Sequence, residues 1–88
     1  MYSTVNLATP AFWFCYRRLP PEVRALADKN FELLRHQASH PSLRLKKVGE
    51  YWSVRVGLRY RALATEHPDG LNWFWIGGHE EYEKLING

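Results

Sequence analysis

The sequence predicts a small α+β domain, a two-helix hairpin packed on a twisted antiparallel sheet of about four strands. Three observations predict it. Apolar residues between Pro10 and Leu34 recur at the helical period. From Leu43 onward the period changes to two. The alternating runs are separated by Gly49-Glu50, Gly57 to Arg59 and Pro68-Asp69-Gly70, all rich in turn-forming residues.

The elements follow in order. Ser3 to Leu7 alternates weakly and reads as a short N-terminal edge strand. Thr9-Pro10 is a helix start: a capping hydroxyl, then a residue whose missing N–H costs nothing in the first turn. Phe12, Trp13 and Tyr16 fit one side of the short helix that follows, and Pro20-Pro21 ends it and opens the next. In that second helix Val23, Leu26, Ala27, Phe31 and Leu34 form an apolar stripe, with Arg24, Asp28, Glu32 and Arg35 facing away. His40-Pro41 closes the helical region, because a residue before proline avoids helical geometry.

Leu43 and Leu45 then alternate with Arg44 and Lys46. After Gly49-Glu50, Trp52, Val54, Val56 and Leu58 alternate with Ser53, Arg55, Gly57 and Arg59. Tyr60 to Glu66 is a third run. The dense apolar run Leu71 to Ile76 reads as a central strand buried on both faces. Gly77-Gly78 breaks it, and His79 to Ile86 forms a short C-terminal helix.

Composition narrows the class. The 88 residues suit one domain, spanning 1–88, and 45% apolar with 15% aromatic residues excludes a disordered tail. No apolar run approaches the roughly 20 residues of a membrane span. Met1 to Asn6 lack the basic start and apolar middle of a secretion signal. Cys15 is alone, which rules out an internal disulfide and favours a buried thiol over a nucleophile. Together these features predict a cytoplasmic protein with no membrane association.

The net charge of +3 is modest, but its distribution is uneven. Arg44, Lys46, Lys47, Arg55, Arg59 and Arg61 cluster with only Glu50 among them, whereas Glu66, Asp69, Glu80, Glu81 and Glu83 dominate the last third. A two-residue turn at Gly49-Glu50 pairs Lys46 with Ser53 and Arg44 with Arg55; a three-residue turn at Gly57 to Arg59 sets Arg55 opposite Arg61. These registers put Arg44, Lys46, Arg55 and Arg61 on one face and Leu45, Val54 and Val56 on the other, under the helices. Like charges opposed on a sheet destabilise it. Either Glu66, Glu80 or Glu81 neutralises them, or the face is an anion site to which phosphates bring the missing charge.

The aromatic residues Trp52, Trp73, Phe74 and Trp75 read as core rather than as a stacking platform for bases, and Tyr82 is expected near the surface. His79 and Tyr82 are three apart, on one side of a helical turn. An imidazole exchanges protons near neutral pH. His36 and His40 have the spacing of a metal pair, but Pro41 ends the helix and no further ligands are near.

The order "RRLPPEVRALADKNFELL", "HPSLRLKKV", "YWSVRVGLRYRALA" and "WFWIGGHEEYEKL" resembles the RelE/ParE superfamily of bacterial type II toxins, in its branch with a Gly-x-His-x-x-Tyr end. The resemblance runs from Ala11 to Ile86. It implies a RelE-like fold whose working face lies opposite the helices. RelE-like members are metal-independent endoribonucleases that cleave mRNA, many on the ribosome, and use no cofactor. ParE-like members bind and poison DNA gyrase, and each kind is held inactive by a cognate antitoxin.

On this resemblance Lys46 and Lys47 match the family's basic strand, which contacts phosphate and helps deprotonation, and Arg61 matches the phosphate-clamping arginine. Arg55 is a second stabiliser, with Arg44 and Arg59 as further phosphate contacts. His79 is the expected acid or base, with Tyr82 assisting. The chain departs from the RelE prototype after its last strand: Gly77-Gly78-His79 stands where the prototype has an arginine. Three readings follow: an mRNA-cleaving toxin, a gyrase-binding inhibitor, and a non-toxic relative that only binds an antitoxin.

Overall fold

The computed structural model of the chain describes residues 5–87. Ser3 and Thr4 lie outside the described residues, and the N-terminal strand β1 is Val5–Ala8. Helix α1 (Pro10–Tyr16) begins at Thr9, whose Oγ1 accepts the Phe12 N–H at 3.3 Å. The same hydroxyl donates to the Trp73 carbonyl at 2.9 Å, so the cap also fastens the helix to the sheet.

Helix α2 (Pro21–His36) buries Val23, Ala27 and Leu34. Leu26, expected in that stripe, is 41% exposed. It belongs to a second stripe with Lys29, Asn30 and Leu33, at positions i, i+3, i+4 and i+7, turned toward the sheet's edge. The Tyr16 hydroxyl donates to Asp28 Oδ1 at 2.7 Å and ties the two helices together.

Four further strands follow: β2 (Lys46–Val48), β3 (Tyr51–Val56), β4 (Tyr60–His67) and β5 (Gly70–Gly78). The sheet order is β1-β5-β4-β3-β2, with β1 parallel to β5 and the other pairs antiparallel. The run Leu71 to Ile76 is therefore a central strand, flanked on both edges. A Cβ on Gly70 (φ 153°) would collide with the Val5 backbone, so the glycine admits β1 to its place.

The strand expected from Leu43 starts later. Pro41–Leu43 forms a 3₁₀ turn, and Arg44 has left-handed geometry at φ 48°. Pro41 fixes its own φ and lacks an N–H, and His40 Nδ1 accepts the Ser42 N–H at 3.2 Å, which stabilises the turn. Leu43 is sealed in the core all the same. At the other end Gly77-Gly78 does not break the last strand: β5 runs through both, and helix α3 (His79–Asn87) starts at once.

Each face of the sheet has its own core. On the helix side Val54, Val56, Ala62, Ala64, Trp73 and Ile76 pack with Phe12, Val23, Ala27 and Leu34. On the other side Leu63, Trp75 and Tyr82 form a smaller cluster bordered by Tyr51 and Phe74. A bulge creates it: Leu63 pairs with Trp75 and Ala64 with Trp73, which leaves Phe74 as the extra residue. Phe74 and Trp75 thus both join the second cluster, and α3 lays Tyr82 over it. No helix among the described residues is long and apolar enough to cross a membrane.

Candidate functional site

The two-residue turn at Gly49-Glu50 sets Lys46 opposite Ser53, and the turn after Val56 sets Arg55 opposite Arg61. Val54 and Val56 lie under the helices, so strand alternation turns Lys46, Ser53, Arg55 and Arg61 to the other face. Arg44 is not among them. Its left-handed backbone precedes the ladder, so no register brings it opposite Arg55.

Arg55 and Arg61 are paired in the closer of the two antiparallel geometries. The Arg55 carbonyl accepts from Asn30 Nδ2 at 3.0 Å, so it points away from β4, as in a non-hydrogen-bonded pair. Both guanidinium groups bond to carbonyls: Arg55 Nε to Gly57 at 3.1 Å and Arg61 to Tyr60 at 3.0 Å. Among the described residues neither has a carboxylate partner, nor does Lys46.

Lys47 is placed differently. It alternates to the helix-side face beside Trp52, and its ammonium donates to Glu66 Oε2 at 2.8 Å. The Trp52 indole N–H donates to the same oxygen at 2.8 Å. The Lys47 hydrogen bond first, and the Trp52 bond second, hold the Glu66 carboxyl below its ordinary value. Glu66 thus neutralises Lys47 and leaves the opposite face uncompensated. The two adjacent lysines, expected to act together, are divided between the two faces.

Tyr82 joins the basic face to α3. It is only 4% exposed, contrary to the expected surface position, because α3 folds back over Leu63 and Trp75. The Arg61 guanidinium lies 5.7 Å from the Tyr82 ring centroid, within cation–π range. The His79 ring stacks on Tyr82 at 5.9 Å and 26°. One buried ring therefore contacts both a guanidinium and an imidazole. Among the described residues Asn6 Nδ2 is the sealed polar side-chain atom without a partner, so the Tyr82 hydroxyl, which makes no hydrogen bond, meets water.

Gly77 makes room for this packing. It lies opposite Arg61, and a Cβ there would come within 2.5 Å of the Trp75 ring, which folds over the bare backbone. The start of α3 is fixed from the Gly57–Arg59 turn, where the Arg59 carbonyl accepts the His79 N–H at 2.8 Å. Arg59, His79 and Glu80 border a shallow hollow of about 400 Å³.

Glu83 is a site neighbour not anticipated from the sequence. Its Oε2 lies 3.3 Å from His79 Nε2. The signal was present, since positions four apart on a helix share a face. The pair His36 and His40 separates: His36 sits 3.5 Å from Glu32, and His40 Nδ1 is bound to Ser42. No group of three metal-ligating side chains gathers among the described residues.

The arrangement offers a polyanion three unneutralised cations on one face, with an imidazole at its border. Comparison with known proteins agrees with the architecture. Residues 21–84 match the family model of the ParE-like toxin domain. The fold is similar to that of a chain in the crystal structure of the RelB–RelE antitoxin–toxin complex from Methanococcus jannaschii. The TM-score is 0.71 at 18% identity, over 91% of this chain and 98% of that one. No curated protein sequence matches.

Proposed function

This chain belongs to the ParE-like toxin domain family of the RelE/ParE superfamily, and we propose that it acts as a toxin that cleaves messenger RNA without a metal ion. The observation that carries this reading is the close Arg55–Arg61 pair, unneutralised by any described carboxylate and joined through the Tyr82 ring to His79. Two like charges held at that range lower stability. Phosphates on the ligand offset the cost.

Cleavage by this route breaks the phosphorus–5′-oxygen bond as the 2′-oxygen attacks phosphorus. It leaves a 2′,3′-cyclic phosphate and a 5′-hydroxyl. Arg61 and Arg55 hold the phosphate and stabilise the charge that grows on its oxygens. Lys46 meets a neighbouring phosphate along the strand. His79 either takes the 2′-hydroxyl proton or supplies one to the departing oxygen, and Glu83 steadies its Nε2. Lys47, paired with Glu66 on the other face, takes no part. A cognate antitoxin is the expected partner. The family and the antitoxin–toxin complex that this fold resembles both support that expectation.

The test is RNA cleavage by purified protein in excess chelator, with product ends identified. Cyclic phosphate ends are expected, with losses of about a hundredfold or more in Arg61→Ala and His79→Ala. Cleavage abolished by chelator, or retained in both variants, overturns the reading. Inhibition of gyrase supercoiling without RNA cleavage assigns the chain to the other branch.

A further inference from the structure

The ladder between β4 and β5 closes on the pair Tyr60 and Gly78, and just past it the Arg59 carbonyl accepts the His79 N–H at 2.8 Å. The hollow of about 400 Å³ opens at this junction, lined by Arg59, Glu80 and Gly78, with His79 on its border. At Gly78 it is bare backbone, and a Cβ there would meet no atom within 4 Å. Arg59 and Glu80 are both exposed. They share the hollow yet form no ion pair, either with each other or with any other described residue. A fork of N–H donors and an acceptor-only carboxylate are thus both open to a third group.

We propose, on the reading that the chain cleaves RNA, that this hollow holds the base beside the cut and that the base is guanine. A phosphate has no use for Glu80, which repels it. A base is neutral and brings donors and acceptors together. Guanine carries N1–H and its N2 amine side by side on one edge, with the acceptors O6 and N7 next in order. The two donors suit the Glu80 carboxylate, and the two acceptors suit the Arg59 guanidinium. Each other base sets an acceptor where Glu80 needs a donor: N1 of adenine, N3 of cytosine, and the carbonyls beside the single N–H of uracil. Facing a carboxylate, those lone pairs are repelled.

Position suits a base as well. Arg59 comes two residues before Arg61, at most about 7 Å of chain. A phosphate held on Arg61 therefore leaves its nucleoside within reach of the hollow, beside the imidazole that moves the proton. Single-stranded RNA presents both of the edges required.

The experiment uses the ¹⁵N-labelled full chain and four 2′-O-methyl RNA trinucleotides that differ only in the central base. The methyl group blocks cleavage, so binding is read apart from chemistry. The guanine trinucleotide is expected to shift the amide signals of Arg59, Gly78, His79 and Glu80, and to bind about tenfold tighter or more than the other three. Inosine, which lacks the N2 amine, and 7-deazaguanine, which lacks the N7 acceptor, should each weaken binding about fivefold or more. Glu80→Ala abolishes the cost of inosine and Arg59→Ala the cost of 7-deazaguanine, whereas residues that only shape the surface leave both costs in place.

Equal affinity for the four trinucleotides, shifts away from the hollow, or unchanged analogue costs in the two variants would each overturn the proposal. Mapping the cuts in unmodified RNA separates it from the reading on which it rests. A chain that prefers guanine but leaves RNA intact sinks the nuclease reading alone. One that cuts beside all four bases alike sinks the guanine pocket alone.

Discussion

Arg55 and Arg61 oppose each other across β3 and β4 with the Arg55 carbonyl turned away from the shared ladder, so the two side chains start from the closest approach a sheet allows. A fold selected only for stability has little reason to keep this pair, given that Lys47 on the other face has been matched with Glu66. The contrast between the faces points to the ligand as the source of negative charge.

Arg55→Thr is expected to raise stability, by about 0.5 kcal/mol at low ionic strength, while weakening RNA binding. Urea unfolding followed by tryptophan fluorescence measures the gain. In about 1 M salt the gain should shrink, because screening already relieves the repulsion. A variant less stable than the parent at low salt refutes the view that the pair is held under repulsion.

The Tyr82 substitutions separate ring from hydroxyl. Tyr82→Phe keeps the surface that supports Arg61 and His79, and cleavage should stay within a few-fold of the parent. Tyr82→Ala removes a buried ring, costs roughly 3–5 kcal/mol, and lets both groups drift, with cleavage falling about a hundredfold. If Tyr82→Phe falls as far as Tyr82→Ala at equal stability, the hydroxyl carries a proton instead.

Lys46→Ala and Lys47→Ala should part company although the residues are adjacent. Lys46→Ala removes a free cation from the sheet face and should lower the salt dependence of RNA binding by about 0.7 in log–log slope. Lys47→Ala removes a cation matched by Glu66, and the slope should hold. Binding titrations at several salt concentrations decide between them, and equal slopes for the two variants contradict the division between faces.

Acid should release the Lys47–Glu66–Trp52 contact. The folded chain holds the Glu66 carboxyl below its ordinary value of 4.5, so the stabilisation is fully present above that value. It is lost as the pH falls through the lower folded value. Glu66→Gln should therefore lower the urea midpoint at pH 7 and make little difference at strongly acid pH. A midpoint difference that persists undiminished in acid contradicts this assignment.

Much of this was legible because glycine-bearing turns fix register. Gly49-Glu50 and the turn at Gly57 determine the pairings Lys46–Ser53 and Arg55–Arg61 by local chemistry alone. The misreadings have local and non-local sources. Leu43 is buried whether it ends a 3₁₀ turn or starts a strand, so its hydrophobicity carries no information about Arg44. The Lys47–Glu66 pair spans 19 positions and needs two registers at once. The burial of Tyr82 follows from the bulge at Phe74, which turns two consecutive aromatic residues toward one face against strict alternation.

Strand β5, which lies between β1 and β4, is made after every other strand, and β1 joins the sheet through it alone. A chain still under synthesis has its helical hairpin and two later hairpin turns, but no platform to join them. Arg61 and His79 lie on opposite sides of β5 in sequence, so they cannot meet until that strand is in place. Biosynthesis therefore brings the Tyr82 ring and the imidazole to the cationic face in a single late step, and a nascent fragment stopped before Trp73 holds Arg55 and Arg61 without the ring and the imidazole that border them.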